Sequence, residues 1–414
     1  MKKIIIVGGG AAGLLAGIAA TQNKANVIIL EKMSNVGKKL LISGKGRCNL
    51  TNDTEISNII KNMTGNGNFL FSALHQFDNY QIRYLLENEG LKTKVERGNR
   101  VFPITDKAKD VLNVLLKIYA KQGGKILTNK TVNEILISEK NEVIGVKTGD
   151  GEKLVADRVI FAVGGASYPG TGSDGKSYKL LERIGHTITP ILPALVPIIS
   201  DSEYIQSLQG LSLKNVSAKI FSNEKIVAED FGEMLFTHYG FSGPIILSMS
   251  KIIAKNLKLT NNKIELAIDL KPALSIEKLD ARIQRVFDKY KNKNLINGAK
   301  DLLPTRLLEV VLKAACLDPK KQINQISKIE RTSLVTTLKA LKFNITGTRS
   351  INEAIVTAGG VSTKEINPKT MESKLIANLY FAGEIIDVDG YTGGFNLQSA
   401  FSTGYVAGAS SSEF

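Results

Sequence analysis

Between Lys3 and Glu31 the chain runs KIIIV-GGG-AAGLLAGIAATQ-NKA-NVIILE. A β-branched run over 3–7 stops at glycines, a small-residue run over 11–22 has the composition of a closely packed helix, and a second apolar run over 25–31 ends on an acid. Strand, tight turn, helix and strand form the opening β-α-β unit of a dinucleotide-binding fold. In Gly8-x-Gly10-x-x-Gly13 the three glycines permit the sharp turn, the approach of backbone to a pyrophosphate, and the seating of helix on strand. The helix start offers unpaired N–H groups and partial positive charge to phosphates. Glu31 follows Gly13 by 18 residues, where a carboxylate accepts both hydroxyls of an adenosine ribose and repels a 2′-phosphate. The uncharged stretch 4–23 behind Lys2 and Lys3 imitates a secretion signal, but Gly8, Gly9, Gly10, Gly13 and Gly17 interrupt it and are all explained by the nucleotide turn.

Outward from this unit the period of the chain changes twice. A glycine-rich basic loop (37–52) precedes an expected helix over 68–88 and an amphipathic one over 106–123, capped by Thr105 or Asp106. Residues 125–129, 131–138, 143–148 and 153–163 then read as a β-meander returning to the main sheet and ending in Val163-Gly164-Gly165. Residues 190–269 are strand-like, 275–341 helical, and 342–358 strand-like again. The last fifty residues repeat the opening pattern: a strand over 379–382, the turn Gly383-Glu384, and a helix over 396–409 entered through Gly393-Gly394. The expected class is α/β. A nucleotide domain over 1–189 and 353–414 is interrupted by an insertion at 190–352, β-rich over 190–270 and 338–352 and helical over 271–337.

At 414 residues, 43% hydrophobic and 22% charged, the chain has the composition of an ordered protein of two or three structural units, neither disordered nor coiled coil. Its only cysteines, Cys48 and Cys316, are too far apart in sequence for a disulfide scaffold, a zinc cluster or a C-x-x-C pair, so no metal is expected and a reducing cytoplasm fits. Net charge is +15. Residues 271–342 hold 16 basic against 7 acidic side chains, 16 − 7 = +9. We read this as solvated helix faces, with a nucleic-acid or other anionic partner as the alternative. Among 271–343 the aromatics are only Phe287, Tyr290 and Phe343, which argues against base stacking.

Two further segments separate FAD from NAD. Tyr380-Phe381-Ala382-Gly383-Glu384 and the apolar strand into Val163-Gly164 resemble the closing strand and the middle turn of flavoproteins with two dinucleotide-binding domains. Gly44-Lys45-Gly46-Arg47-Cys48-Asn49-Leu50-Thr51-Asn52, Phe236-Thr237-His238-Tyr239-Gly240-Phe241-Ser242-Gly243-Pro244 and Gly393-Gly394-Phe395-Asn396-Leu397-Gln398 are similar to a bacterial family of FAD-binding oxidoreductases labelled aminoacetone oxidase-like or bile-acid reductase-like. The resemblance spans the chain and implies a Rossmann-like FAD-binding domain interrupted by a β-barrel and a small helical module. The expected FAD contacts are Gly8, Gly10, Ala12, Gly13, Glu31, Lys32, Lys39, Arg47, Val132, Gly164, Gly383, Glu384, Asn396 and Leu397.

Within that set Arg47, on a basic loop able to close over the phosphates, is expected near the flavin or an anionic group of the substrate. Asn396 and Leu397 start the last helix, so their N–H groups would point at the flavin edge where negative charge develops on reduction. His238 and Arg47 are the candidate catalytic residues, His238 as a proton shuttle. Cys48 reads as a small packing residue, Tyr391 as a wall, and His186 lies in no motif. A second string, Gly170-x-Gly172-x-x-Gly175, follows a loop and has no acid-ended strand after it, so it reads as the start of a helix over 176–184 capped by Ser173 or Asp174. The expected function is hydride transfer between flavin and a small organic substrate, with NAD(P)H as a transient donor. A flavin-dependent RNA-modifying enzyme, or an amine oxidase using O2, is the alternative. No membrane insertion is expected, and the sequence leaves the oligomeric state open.

Overall fold

The computed structural model describes residues 1–259 and 263–413. The elements that carry the fold are β1 (Lys3–Val7), α1 (Ala11–Gln22), β2 (Asn26–Leu30), α2 (Ala108–Lys121), β3 (Lys125–Leu127) and β4 (Arg158–Phe161). Six strands follow: β5 (Ile198–Ser200), β6 (Ser212–Ser222), β7 (Lys225–Phe236), β8 (Gly240–Ser242), β9 (Ile264–Asp269) and β10 (Leu341–Thr348). Between the last two lie α3 (Ile276–Lys289), α4 (Thr305–Ala314) and α5 (Lys328–Lys339); the chain closes with β11 (Leu379–Phe381) and α6 (Phe395–Ser412). Two compact units result, Met1–Leu192 with Ile351–Phe414, and Pro193–Ser350.

The first unit is built on a parallel sheet of order β11-β4-β1-β2-β3. Its central strands are apolar on both faces, as a sheet covered by helices requires: Ile4, Ile5, Ile6, Ile29, Val159, Ile160 and Phe161 are buried. The order makes the last strand of the chain an edge of the sheet opened by the first. Helix α1 is polar on neither side, because it is enclosed by β2, α2 and α6. Its residues are small for a physical reason. A Cβ on Gly404 would stand 2.3 Å from the Ala12 carbonyl oxygen, and one on Gly408 2.1 Å from that of Ala16, so α6 lies on α1 backbone to backbone. On the other side, Gly17 leaves room for the Tyr119 ring of α2.

The second unit is a closed antiparallel barrel of order β5-β8-β7-β6-β9-β10, with Phe236, Phe241 and Phe343 meeting at ring separations of 5.0 to 5.9 Å in its core. The three helices inserted between β9 and β10 bury one face each. In α3 these are Leu279, Ile283 and Phe287, and in α5 Leu334, Val335 and Leu338. Ser275 caps α3, and Ser327 with Glu330 forms a capping box on α5.

Several expectations change in detail. Residues 125–129 are not part of the meander; β3 pairs in parallel with β2 as the fifth strand of the main sheet, and the meander is 132–137, 143–148 and 153–155. The helix expected over 68–88 breaks at Phe77, because Asp78 and Gln81 form a capping box that starts a new helix at Asn79. Neither Thr105 nor Asp106 caps α2: Asp106 sits at φ +55° and spends its carboxylate on Arg47 and Lys94. The helix after the second glycine string is shorter, Tyr178–Arg183, and neither Ser173 nor Asp174 caps it. A helix over Pro244–Leu259 stands where strand was expected, since its β-branched start mimics one.

Candidate cofactor site

The glycines at the β1–α1 turn do different work. Gly8 takes φ +105°, and its missing Cβ would lie 2.4 Å from the Ala162 carbonyl oxygen; that of Gly13 would lie 1.9 Å from the Gly8 carbonyl oxygen. Both positions are filled by this chain's own backbone. Gly10 differs, since open space lies where its Cβ would project. The first intrahelical bond of α1 runs from Leu14 N–H to Gly10 O at 2.9 Å, so the N–H groups of Ala11, Ala12 and Gly13 precede the helical ladder, with no acidic residue in the first turn to claim them. A polar group approaching Gly10 therefore meets backbone donors and the positive end of α1.

Glu31 closes the same turn from the tip of β2. Its carboxylate accepts from Gly9 N–H and Met33 N–H, one bond to each oxygen and both 2.8 Å. An ionised carboxylate offers about four acceptor positions, so two remain for a diol. The following residues tie the wall together. Lys32 pairs with Asp174 at 2.9 Å, and a Cβ on Gly172 would touch Met33 and Lys32, so the second glycine string packs against this turn. Asn129 and Lys130 donate to the carbonyls of Met33 and Glu31, which leads the chain from beside Glu31 into Val132 at the head of the meander.

A second cluster joins residues far apart in sequence. Lys39 donates to Ser167 Oγ at 2.7 Å and forms an ion pair with Glu384; Glu384 also accepts from Thr357 N–H at 2.7 Å and Ser167 Oγ at 3.1 Å. Burial acts to raise the Glu384 carboxyl, but Lys39 and these donors outweigh it and hold it below its ordinary value. Thr357 Oγ1 in turn accepts from Ala166 and Ser167 N–H, and a Cβ on Gly165 would collide with it. Gly164 at φ +76° and Gly383 at φ +77° make the two turns that bring these strand ends together. Lys39, Gly164, Gly383 and Glu384 are thus assembled as one cluster. Ser167 and Thr357, which complete it, were missed; Ser167 lies in the loop after β4 and Thr357 inside the short strand Val356–Ala358, and neither position carries a local sequence signal.

The start of α6 is held from three directions. Gly394 adopts φ +97° with its Cβ position only 2.3 Å from the Thr51 carbonyl oxygen, Asn52 Nδ2 donates to Gly393 O, and Asn49, with its amide turned as its neighbours require, accepts from Gly394 N–H at 3.0 Å. The Asn396 side chain is a clamp, accepting from Gly390 N–H and donating to the Gly390 and Tyr391 carbonyls. Leu397 is half-buried beside it. The motif Asn49–Asn52 therefore acts by positioning a helix N-terminus.

The two candidate catalytic residues stand otherwise. Arg47 is spent on acids of its own chain. It lies between Glu96 and Asp106, stacks 4.1 Å above the Phe102 ring, and is driven up from its ordinary value by those carboxylates, Glu96 first. With Lys94 on the same acids, two positive and two negative charges cancel. His238 belongs to the barrel unit, exposed on the turn between β7 and β8 with its ring edge against Tyr239. Cys48 is fully buried, which pushes its thiol up to about 12 and makes it a packing residue. His186, outside every motif, is buried between Glu365 and Ser373 Oγ at 3.2 and 3.1 Å. That Ser–His–Glu order resembles a nucleophile triad, but Ser373 Oγ already accepts from two backbone N–H groups and is itself buried, so the trio staples two segments.

The HI0933-like protein Rossmann domain matches residues 2–410. The chain belongs to that family. It is an FAD-dependent oxidoreductase. A relative in Clostridium scindens, the 3-dehydro-bile acid delta(4,6)-reductase, is 34% identical over 415 residues and the full length of both chains. The ribosomal RNA dihydrouridine synthase of Haemophilus influenzae is 30% identical over 409 residues, 98% of this chain and 97% of that one. Among solved structures, the 3-ketosteroid-delta4-(5alpha)-dehydrogenase of Rhodococcus jostii superimposes with a TM-score of 0.54 at 17% identity, covering 100% of this chain and 97% of that one, a likeness of fold. No helix among the described residues is long and apolar enough to cross a membrane, and they hold no cluster of three or more metal-ligating side chains.

Proposed function

We propose that the protein reduces a carbon–carbon double bond conjugated to a carbonyl group in a small organic substrate, with NAD(P)H as the electron donor. The observation that carries the cofactor half is the cradle at β1–α1: open space at Gly10 before unclaimed N–H groups, beside a carboxylate with two acceptor positions to spare. In this reading the N–H groups around Gly8, Gly10, Ala12 and Gly13 receive the pyrophosphate and Glu31 the ribose hydroxyls. Lys32 and Val132 border the adenosine. Gly164, Lys39, Gly383 and Glu384 flank the ribityl chain, and the N–H groups of Asn396 and Leu397 face the flavin edge. FAD, when bound, supplies the two-electron hydride chemistry. The chain's own part is orientation and charge: α6, aimed by Asn49, Asn52 and the Asn396 clamp, offers positive potential where electrons accumulate.

The substrate half rests on chemistry that the named relatives have in common. A 3-dehydro steroid with a delta(4,6) system and a uridine both present a C=C bond conjugated to C=O. In each the balance is NAD(P)H plus a proton plus the conjugated alkene, giving NAD(P)+ and the saturated carbonyl compound. One further observation favours RNA uridine as a second reading: a row of four exposed cations along α3, described below, three of which have no ion-pair partner among the described residues.

The test is anaerobic reduction of the purified flavoprotein by NADH and by NADPH, followed by a simple cyclic enone or a uridine-containing RNA. Bleaching of the visible flavin band by a nicotinamide, and its return on adding one of these acceptors, is the expected result. A band that no nicotinamide bleaches, or that neither acceptor restores, would sink the proposal. For the site, Glu31→Ala should lose most of the bound flavin and His238→Ala little; equal flavin content in the two purified variants would refute the assignment.

A further inference from the structure

We propose that the groove along α3 in the barrel unit is a docking site for the phosphodiester backbone of a structured RNA, an inference that rests on the second reading above. Lys278, Arg282, Arg285 and Lys289 follow one another at four, three and four residues, which places them in one row on the helix. At 1.5 Å per residue the row is about 16 Å long. All four are exposed. The opposite face, Leu279, Ile283 and Phe287, is consumed by the core, so the row lies on the solvent side of α3, where Glu277 and Asp288 are also exposed.

Three facts separate this row from an ordinary charged helix face. First, Lys278, Arg282 and Arg285 have no ion-pair partner among the described residues, whereas Asp280 of the same helix is taken by Arg331 from behind. Second, the row lines a groove of about 610 Å³ floored by Ala281 and Val286; the carboxylate at its edge, Asp301, is already bound by Lys289 and by the Tyr290 hydroxyl. Third, Lys271 stands close enough to Arg282 that burial and then this like charge lower its ammonium, so positive potential is held there uncompensated. Cations kept apart in a groove, unspent on the protein's own acids, suit a polyanion whose charges come in sequence.

The geometry favours RNA over a lipid surface. A helix that docks on a membrane turns its apolar face outward, and that of α3 is inside the core. A groove floored by small apolar side chains instead accommodates a backbone between rows of phosphates, read by charge and shape.

The test uses the full-length flavoprotein and a fluorescently labelled RNA hairpin with a uridine loop, followed by anisotropy across a salt series. R282Q/R285Q should weaken binding about tenfold and lower the slope of log affinity against log salt by about 1.5, two phosphate contacts having been removed. R282K/R285K should restore most of the loss. K214Q/K225Q, which removes the same charge from exposed positions elsewhere in the unit, should stay within twofold of the parent. Equal weakening by the two glutamine doubles, no weakening by R282Q/R285Q, or preference of the parent protein for phosphatidylserine vesicles over the hairpin would each overturn the proposal. Melting temperatures and flavin content establish that the variants are folded. Because docking is read without turnover, its failure is distinct from failure of the reductase reading, which the nicotinamide and acceptor experiment on the parent protein decides.

Discussion

In the unit formed by the two ends of the chain, Lys39 lies on Glu384, Lys32 on Asp174, and Arg47 between Glu96 and Asp106. In the unit formed by the middle of the chain, Arg331 and Lys339 are likewise tied to Asp280 and Asp269, yet Lys278, Arg282 and Arg285 line a groove and have no ion-pair partner among the described residues. The difference separates two uses of the same residue types. A cation whose partner is its own chain holds elements together. A cation left without one, where the fold could have placed an acid, is available to something else. Net charge adds both kinds together and so cannot tell them apart.

The largest test of this contrast removes packing altogether. Gly13→Ala forces a methyl into the Gly8 carbonyl, so α1 must move off β1; a loss of about 3 kcal/mol in denaturant unfolding and an apoprotein on purification are expected. Lys39→Met should cost about 2 kcal/mol, because a largely buried carboxylate is left unpaired, and adding Glu384→Gln should recover most of it. If the double variant is no more stable than Lys39→Met, the cluster is not a charge pair in energetic terms. A smaller, graded effect belongs to pH. Burial first, against the pull of Glu365, holds His186 below its ordinary value of 6.5, so its contribution is whole above that pH and declines as pH falls below it. Melting temperature should therefore fall from neutral toward pH 5 in the parent protein and fall less in His186→Gln. Glu384, also held low, adds its own loss only below about 4.5. Smallest of all, Arg282→Gln should leave stability within about 0.5 kcal/mol, the counterpart of Lys39→Met at an unpaired cation.

The glycine turn, the acid at the tip of β2 and the closing Gly383-Glu384 were legible because each is a local pattern: a period of side chains, a spacing, a turn residue. The barrel was legible as a change of period, although the helix over Pro244–Leu259 was hidden by its β-branched start. The Lys39–Ser167–Thr357–Glu384 cluster was only half legible, since partners separated by hundreds of residues leave no period in the chain. Arg47 misled for the same reason. Its loop reads as basic, but the acids that neutralise it, Glu96 and Asp106, arrive on a different hairpin and a different loop. His186 was invisible, a lone histidine whose partners come from 365 and 373.

The seating of α6 on α1, carbonyl against glycine, also bears on how the molecule is made. The sheet begun by residues 3–7 takes its edge strand from 379–381, and its first helix takes a covering layer from 395–412. During synthesis the strands and helix over residues 3–30 must wait, with their apolar faces uncovered, until residues 379–412 have been translated. The barrel unit, contiguous from 193 to 350, emerges complete while that wait continues. Termination after residue 350 but before the final helix therefore releases a finished barrel attached to an unfinished nucleotide fold, a species suited to recognition by chaperones and proteases.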